Sequence, residues 1–161
     1  MILERIKKMF WGIIIIFSCI VLDQISKIIV RAYLQPKGSI TVIKNFFKFT
    51  YVENRGGAWG VFGGNLWLFI IITIIALGFM FYLMKDFDLK NNAFYSIALA
   101  LVIAGAIGNF IDRIIFKYVT DFLDFYIFGY DFPVFNIADI CITIGVFMLL
   151  FKILFFSKGA E

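Results

Sequence analysis

Four long apolar runs, each close to the length of a membrane-crossing helix, dominate this chain of 161 residues and leave little else from which to build a fold. They cover approximately residues 9–30, 66–84, 93–113 and 137–155. About 20 apolar residues in a helix cross the roughly 30 Å of bilayer hydrocarbon, where only helices and closed barrels satisfy their own backbone hydrogen bonds. Composition agrees: 63% of the chain is hydrophobic and 16% charged, whereas about a quarter of a soluble domain is charged. The expected fold class is an all-α membrane protein with a small β element, and residues 1–161 read as one integral membrane domain.

The first run follows Arg5, Lys7 and Lys8 and contains Ile16-Phe17-Ser18-Cys19, which loosely imitates a lipidated leader. Secretory h-regions span only about 7–15 residues, while this run resumes beyond Asp23 and three more follow, so it reads as the first membrane helix. Basic residues are nearly balanced between the two sides, and the basic leader decides the orientation, with both termini expected in the cytoplasm. Four alternating spans then place the ends of helices one and three and the starts of helices two and four on the outer side. Asp23, Gln24 and Lys27, then Asn109, Asp112 and Arg113, then Asn136 and Asp139 all fall at that level. Charges near bilayer depth cost about 2.5–3.5 kcal/mol each on insertion scales, so such a cluster needs pairing or a function.

Between the first two runs, residues 31–65 change character: Phe47, Phe49 and Tyr51 alternate with Lys48 and Thr50, the period of a short amphipathic outer sheet. Asn54-Arg55-Gly56-Gly57-Ala58-Trp59-Gly60, followed by Gly63-Gly64, is either a flexible linker or a place where backbone is approached closely. Residues 85–92 read as a cytoplasmic turn, and Phe116 to Phe135, rich in aromatics and acids, is expected at the outer interface.

The chain contains no histidine, which removes Ser-His-Asp and Cys-His nucleophile systems and every His-ligated metal site. Cys19 and Cys141 each lie within an apolar run and read as small buried hydrophobes. Asp139 follows Asn136 by three residues, the spacing of a helix cap returned by an acid; it is equally placed as a carboxylate aimed between the helices. Asp121 and Asp124 lie just outside helix three, where a carboxylate ordinarily faces water, yet either one returning toward Asp139 would share a proton with it and form a dyad able to activate water. Asp23 and Lys27 are spaced for an ion pair on one helical face. Arg113 can hold carbonyls at a helix end, pair with Asp112 or present its fork to a substrate, and Asn109 lies on the same face.

These residues, taken in order, resemble the lipoprotein signal peptidases, or signal peptidase II, the membrane aspartic peptidases of bacteria. Five blocks carry the resemblance: Asp23-Gln24-Ile25-Ser26-Lys27; Asn54 to Gly60; Gly105 to Arg113 with Asn109 and Asp112-Arg113; Val119-Thr120-Asp121-Phe122; and Phe135-Asn136-Ile137-Ala138-Asp139. The resemblance implies that Asp121 and Asp139 are the catalytic pair. It implies substrate positioning by Asn54, Gly56, Asn109, Arg113 and Asn136, and a structural role for Asp23, Lys27 and Asp112. It further implies a β-cradle in the outer segment and a mobile surface helix in the Phe116 to Phe135 region. Thr120 departs from the common Val, and Gly57 from the frequent Ala or Met.

The implied activity is removal of the signal peptide from diacylglyceryl-modified prolipoproteins, on the N-terminal side of the lipidated cysteine, at the extracytoplasmic face of the bacterial plasma membrane. No metal or cofactor and no nucleic acid is implied; the expected partners are prolipoprotein, membrane phospholipid and cyclic-peptide inhibitors of the globomycin type. The competing class is a small ion or proton transporter, whose polar residues should decorate both halves of the membrane. A Ser-Lys peptidase is a third class, but the adjacent Ser26 and Lys27 point to different faces of a helix.

Overall fold

The computed structural model describes residues 2–57 and 64–156, with side chains from Met9 onward. Its elements run α1 (Ile2–Tyr33), β1 (Ser39–Ile43), β2 (Phe47–Asn54), α2 (Leu66–Leu83), a 3-10 turn (Met84–Asp86), α3 (Ala93–Phe116), β3 (Val119–Ile127), β4 (Tyr130–Asp131) and α4 (Ile137–Phe156). Four helical segments are long and apolar enough to cross a membrane: Met9–Tyr33, Leu66–Asp86, Ala93–Phe116 and Ile137–Phe156. Each lies within about three residues of its expected span, α1 and α3 running on by one further turn at their C-terminal ends. Helix α3 stops where Lys117 takes a left-handed conformation and returns its N–H to the Arg113 carbonyl.

Helix α3 is the centre of the bundle. Ala98, Leu99, Ala100 and Ile103 on it are completely buried. Leu99, Ala100 and Ile103 form one core cluster with Ile16 of α1, Met84 and Phe87, against which Cys19 packs. The other helices turn bulky residues outward, such as Phe17, Ile75 and Phe147, each about two-thirds exposed. Apolar surface on that scale requires lipid as its solvent. Helices α3 and α4 approach closely because Gly105 and Gly145 face the partner helix: a Cβ at Gly105 would stand 2.3 Å from the Ala138 carbonyl oxygen, and one at Gly145 2.7 Å from that of Ala98. Without a hydrophobic force between helices in lipid, this backbone proximity and its dispersion contacts hold the pair together.

At the end of the bundle where α1 and α3 finish and α2 and α4 begin, the two inter-helix segments build one antiparallel sheet of order β1-β2-β3-β4. β2 pairs with β3 in a register that sets Lys48 beside Asp124 and Val52 beside Asp121. Phe128 and Gly129, both at positive φ, form the two-residue turn from β3 to β4. Where a surface helix or loop is expected within Phe116 to Phe135, the helix is corrected: Val119–Ile127 is a strand. Its β-branched and aromatic residues favour the pleated form, and pairing with β2 satisfies backbone groups that a helix-to-helix connection would otherwise leave at the membrane boundary.

The close α3–α4 approach makes a direct prediction. Gly105→Ala inserts a methyl where overpacking costs about 1–3 kcal/mol, and should lower the thermal unfolding midpoint in detergent. Gly78→Ala, in α2 with nothing within 4 Å of the new Cβ, should leave the midpoint unchanged or raise it, since Ala suits a helix better by about 1 kcal/mol. Equal midpoints for wild type and Gly105→Ala would contradict the packing described.

Candidate active site

The first turn of α4 holds Asp139 by a reciprocal cap. The Asn136 backbone N–H donates to Asp139 Oδ2 at 3.1 Å, and the Asp139 N–H donates to Asn136 Oδ1 at 2.9 Å. The spacing read as a cap is therefore a cap, and it also fixes where the carboxylate points. Asp121 arrives from β3, and the Leu123–Phe135 bridge brings that strand back beside the segment leading into α4. Its side chain accepts from Asn54 Nδ2 at 2.8 Å and from Asn136 Nδ2 at 2.6 Å. Asn136 thus joins both carboxylates, one through its side chain and one through its backbone. Asn54 is itself braced, its Oδ1 accepting the Gly56 N–H at 2.9 Å.

Asp121 is 1% exposed. Burial, with the charge of Asp139 adding to it, pushes its carboxyl up to about 7 against the opposing pull of Asn54, Asn136 and Lys27. A buried carboxyl beside a second one retains its proton well above the ordinary carboxylate range.

Helix α3 supplies the next layer. Asn109 Nδ2 donates to Asp139 Oδ1 at 2.7 Å, while its Oδ1 accepts from Lys27 Nζ at 2.9 Å and from Asn136 Nδ2 at 3.1 Å. Lys27 is completely buried and paired to Asp23 Oδ2 at 2.9 Å and Asp112 Oδ2 at 3.6 Å. Arg31 reaches Asp112 Oδ1 at 3.4 Å and donates to Thr120 Oγ1 at 2.8 Å. Two cations and two carboxylates balance one another, the arrangement under which buried charge is tolerated. The two acids also accept backbone N–H groups: Asp23 takes that of Ala138 and Asp112 that of Thr120, each at 2.9 Å.

Arg113 has a different setting from Asp112. Its Nη2 donates to the Gly56 carbonyl at 3.2 Å and its guanidinium lies 4.7 Å from the Phe69 ring centre. That contact ties the start of the glycine segment to α3 beside the site; residues 58–63 of the same segment lie outside the described residues. A cavity of about 500 Å³ opens beside the carboxylates, walled by Asn54, Arg113, Asp121 and Asp139 and by the apolar Val134 and Ile144.

Asp124 departs from the expectation of a water-facing side chain. It is 3% exposed on the face of β3 away from Asp121, and accepts from Thr50 Oγ1 at 2.5 Å beside Lys48 Nζ at 3.3 Å. Ser26 Oγ is bonded to the Asp23 carbonyl at 2.7 Å, and the buried Lys27 is committed to its acids, so the two form no nucleophile–base pair. Sequence reasoning missed Arg31 and the role of Thr120. The available signal was the stripe Asp23, Lys27, Arg31 at successive four-residue steps on one helical face. Among the described residues no three of Cys, Asp and Glu converge as a metal site would need.

Fold and site together define a polytopic helical membrane protein with a paired-carboxylate site opening on a cavity at one end of its bundle. Comparison with known proteins narrows the class: the signal peptidase (SPase) II family matches residues 15–155. A lipoprotein signal peptidase of Staphylococcus aureus is 43% identical over 151 residues, 92% of this chain and 91% of that protein. The same identity and coverage hold for the lipoprotein signal peptidase of its strain Newman. A bacterial membrane enzyme solved by the in meso method at 2.3 Å superposes with a TM-score of 0.80 at 42% identity, covering 93% of each chain. A second, solved by the same method at 1.9 Å, gives 0.78 at 41%, covering 92% of this chain and 94% of that one. The chain belongs to the signal peptidase II family, a family of bacterial membrane peptidases.

The coupling between the two acids is measurable. A carbon-13 titration of the Asp121 carboxyl should show a midpoint near 7. In Asp139→Asn that midpoint should fall, because a neighbouring negative charge has gone while the burial remains. A midpoint unmoved by Asp139→Asn would show that the two carboxylates do not sense each other.

Proposed function

We propose that this protein removes the signal peptide from diacylglyceryl-modified prolipoproteins, using Asp121 and Asp139 as an aspartic pair, and cleaves on the N-terminal side of the lipidated cysteine. The observation that carries the proposal is the bridge of Asn136 between two carboxylates on the wall of a cavity, with Asp121 buried and Asp139 fixed by its cap. Family membership supports the substrate class. On this reading residues 1–161 act as one membrane-embedded unit, with both termini cytoplasmic and the sheet end of the bundle at the outer face of the plasma membrane. The apolar walls of the cavity accept lipid-borne substrate at the headgroup boundary, where phospholipid acyl chains surround the helices.

The chemistry follows from one ionised and one protonated carboxyl. The ionised acid takes a proton from water, whose oxygen attacks the scissile carbonyl carbon; the protonated acid hydrogen-bonds the carbonyl oxygen and gives its proton as the tetrahedral species forms. Collapse breaks the C–N bond: the acid protonated by the water delivers that proton to the leaving amine, while the other acid, now ionised, takes back a proton from a hydroxyl of the tetrahedral species and the starting pair is restored. Asn54 and Asn136 orient Asp121, Asn109 and Asn136 orient Asp139, and Arg113 with Gly56 frames the substrate's approach. Asp23, Lys27 and Asp112 hold the helices. Neither metal nor cofactor enters the scheme, and a cyclic peptide of the globomycin type that places a hydroxyl between the acids should inhibit.

The transporter reading has less support, because the buried charges of α1 and α3 gather at the sheet end and Leu66–Leu83 of α2 carries no charge at all.

In a cleavage assay on purified protein, Asp121→Asn and Asp139→Asn should each lower kcat by about 1000-fold or more while the proteins stay folded, since members of one catalytic unit are individually indispensable. Asp124→Asn should be mild, and a metal chelator should have no effect. Equal losses in all three variants, or full inhibition by chelation, would contradict the assignment.

A further inference from the structure

The ammonium of Lys27 has three donors and no acceptor. It lies 2.9 Å from Asp23 Oδ2 and 3.6 Å from Asp112 Oδ2 as ion pairs, and donates to Asn109 Oδ1 at 2.9 Å. The third contact does more than bury a charge. A primary amide has two nearly isosteric orientations, exchanged by a half-turn, and its hydrogen-bond partners select between them. Because an ammonium can only donate, the Asn109 atom facing it must be the carbonyl oxygen, and the NH₂ group must point the other way. In that direction it meets Asp139 Oδ1 at 2.7 Å. The same carbonyl oxygen also accepts from Asn136 Nδ2 at 3.1 Å, and this nitrogen donates to Asp121 Oδ1 at 2.6 Å. A reversed Asn109 would set its oxygen against the Asp139 carboxylate and its NH₂ against the NH₂ of Asn136. The cation therefore selects the polarity of Asn109 directly and, together with the Asp139 N–H on Asn136 Oδ1, supports that of Asn136, so that each carboxylate receives an amide donor.

The partners of Lys27 reach the same two residues through the backbone. Asp23 accepts the N–H of Ala138, immediately before Asp139, and Asp112 accepts that of Thr120, immediately before Asp121. A lysine serving only to neutralise the acids would not need a donor aimed at a side chain that bonds both Asp139 and Asn136.

We infer that Lys27 is a positioning residue for hydrolysis, which holds Asn109, and through it Asn136, in the orientation that presents amide donors to Asp139 and Asp121. The inference rests on the aspartic-pair reading above. It assigns Lys27 a part in turnover beyond the structural role expected from the sequence. Lys27 acts through Asn109 and does not touch the substrate.

The test separates orientation from charge balance. Lys27→Met alone leaves a buried acid unpaired, so it is combined with Asp23→Asn, which removes one negative charge and keeps an acceptor for the Ala138 N–H. The double variant is compared with Asp23→Asn alone, in which the ammonium still faces Asn109. Steady-state cleavage of a diacylglyceryl-modified prolipoprotein should show kcat about 100-fold lower in the double variant than in the single, the scale of losing one oriented donor at a reacting site. KM should stay within about threefold, because substrate contacts are untouched. A folded double variant with kcat within about threefold of Asp23→Asn would overturn the inference, and so would failure of the charge-balanced double variant to fold, which would make Lys27 a structural ion. Asp121→Asn and Asp139→Asn run alongside. If both still cleave, the aspartic-pair reading itself fails; if both are inactive while the Lys27 double variant turns over normally, only the role of Lys27 fails.

Discussion

A lysine ammonium buried completely inside a membrane bundle is the interaction on which the rest of this structure depends. An isolated charge there would cost several kcal/mol after relaxation. The fold meets that cost by bringing Asp23 from one turn earlier on α1, and Asp112 and Asn109 from α3, to the same nitrogen. Once those groups are gathered, little freedom remains. Asp23 must lie against the start of α4, Asp112 against the start of β3, and Gly108 must remain without a side chain, since a Cβ there would stand 2.6 Å from Asp23 Oδ2.

The same constraint explains why two distant stretches of chain meet at one point. Asp121 and Asp139 belong to a strand and a helix with no periodic relation to each other. Their immediate predecessors are nevertheless each tied by a backbone N–H to an acid of the Lys27 cluster. Around this fixed level the helices differ in duty. Helix α3 is the buried spine, α4 approaches it through glycines, and α2 is surrounded chiefly by lipid, with Ile70 its buried residue. On the proposed function this arrangement has a use: the acyl chains of a substrate remain in lipid while its scissile bond enters the cavity beside the two carboxylates at the hydrocarbon boundary. Rigid placement of the reacting groups then replaces reorganisation during the reaction.

Much of this was legible in the residues. Span lengths follow from hydropathy, and helix parity alone places Asp23, Asn109 and Asp139 at one level. The Asn136–Asp139 spacing announces a cap because capping chemistry is local. What was not legible is long-range. Val119–Ile127 is aromatic and β-branched, but only its pairing with β2 makes it a strand, and that partner lies more than 60 residues earlier in the chain. Asp124 reads as a surface acid until the same pairing sets it beside Lys48 and Thr50. Arg31 was overlooked because it sits past the expected end of the first span, where a basic residue usually reads as an interfacial anchor. Family resemblance chose Asp121 over Asp124. The structure supplies a physical difference between them: Asp121 lines the cavity beside Asp139 and Asp124 lies on the opposite face of β3.

The central claim is that water, activated by this carboxylate pair, cleaves lipidated prolipoprotein at one bond. The most direct measurement is intact-mass analysis of the products formed by the purified protein from a diacylglyceryl-modified prolipoprotein and from its unlipidated form, in water enriched in oxygen-18. The account predicts a signal peptide with one heavy oxygen on its new carboxyl terminus, an unlabelled lipoprotein beginning at the lipidated cysteine, and no products from the unlipidated form. Equal cleavage of both forms, a cut elsewhere in the chain, or no cleavage by folded protein would contradict it.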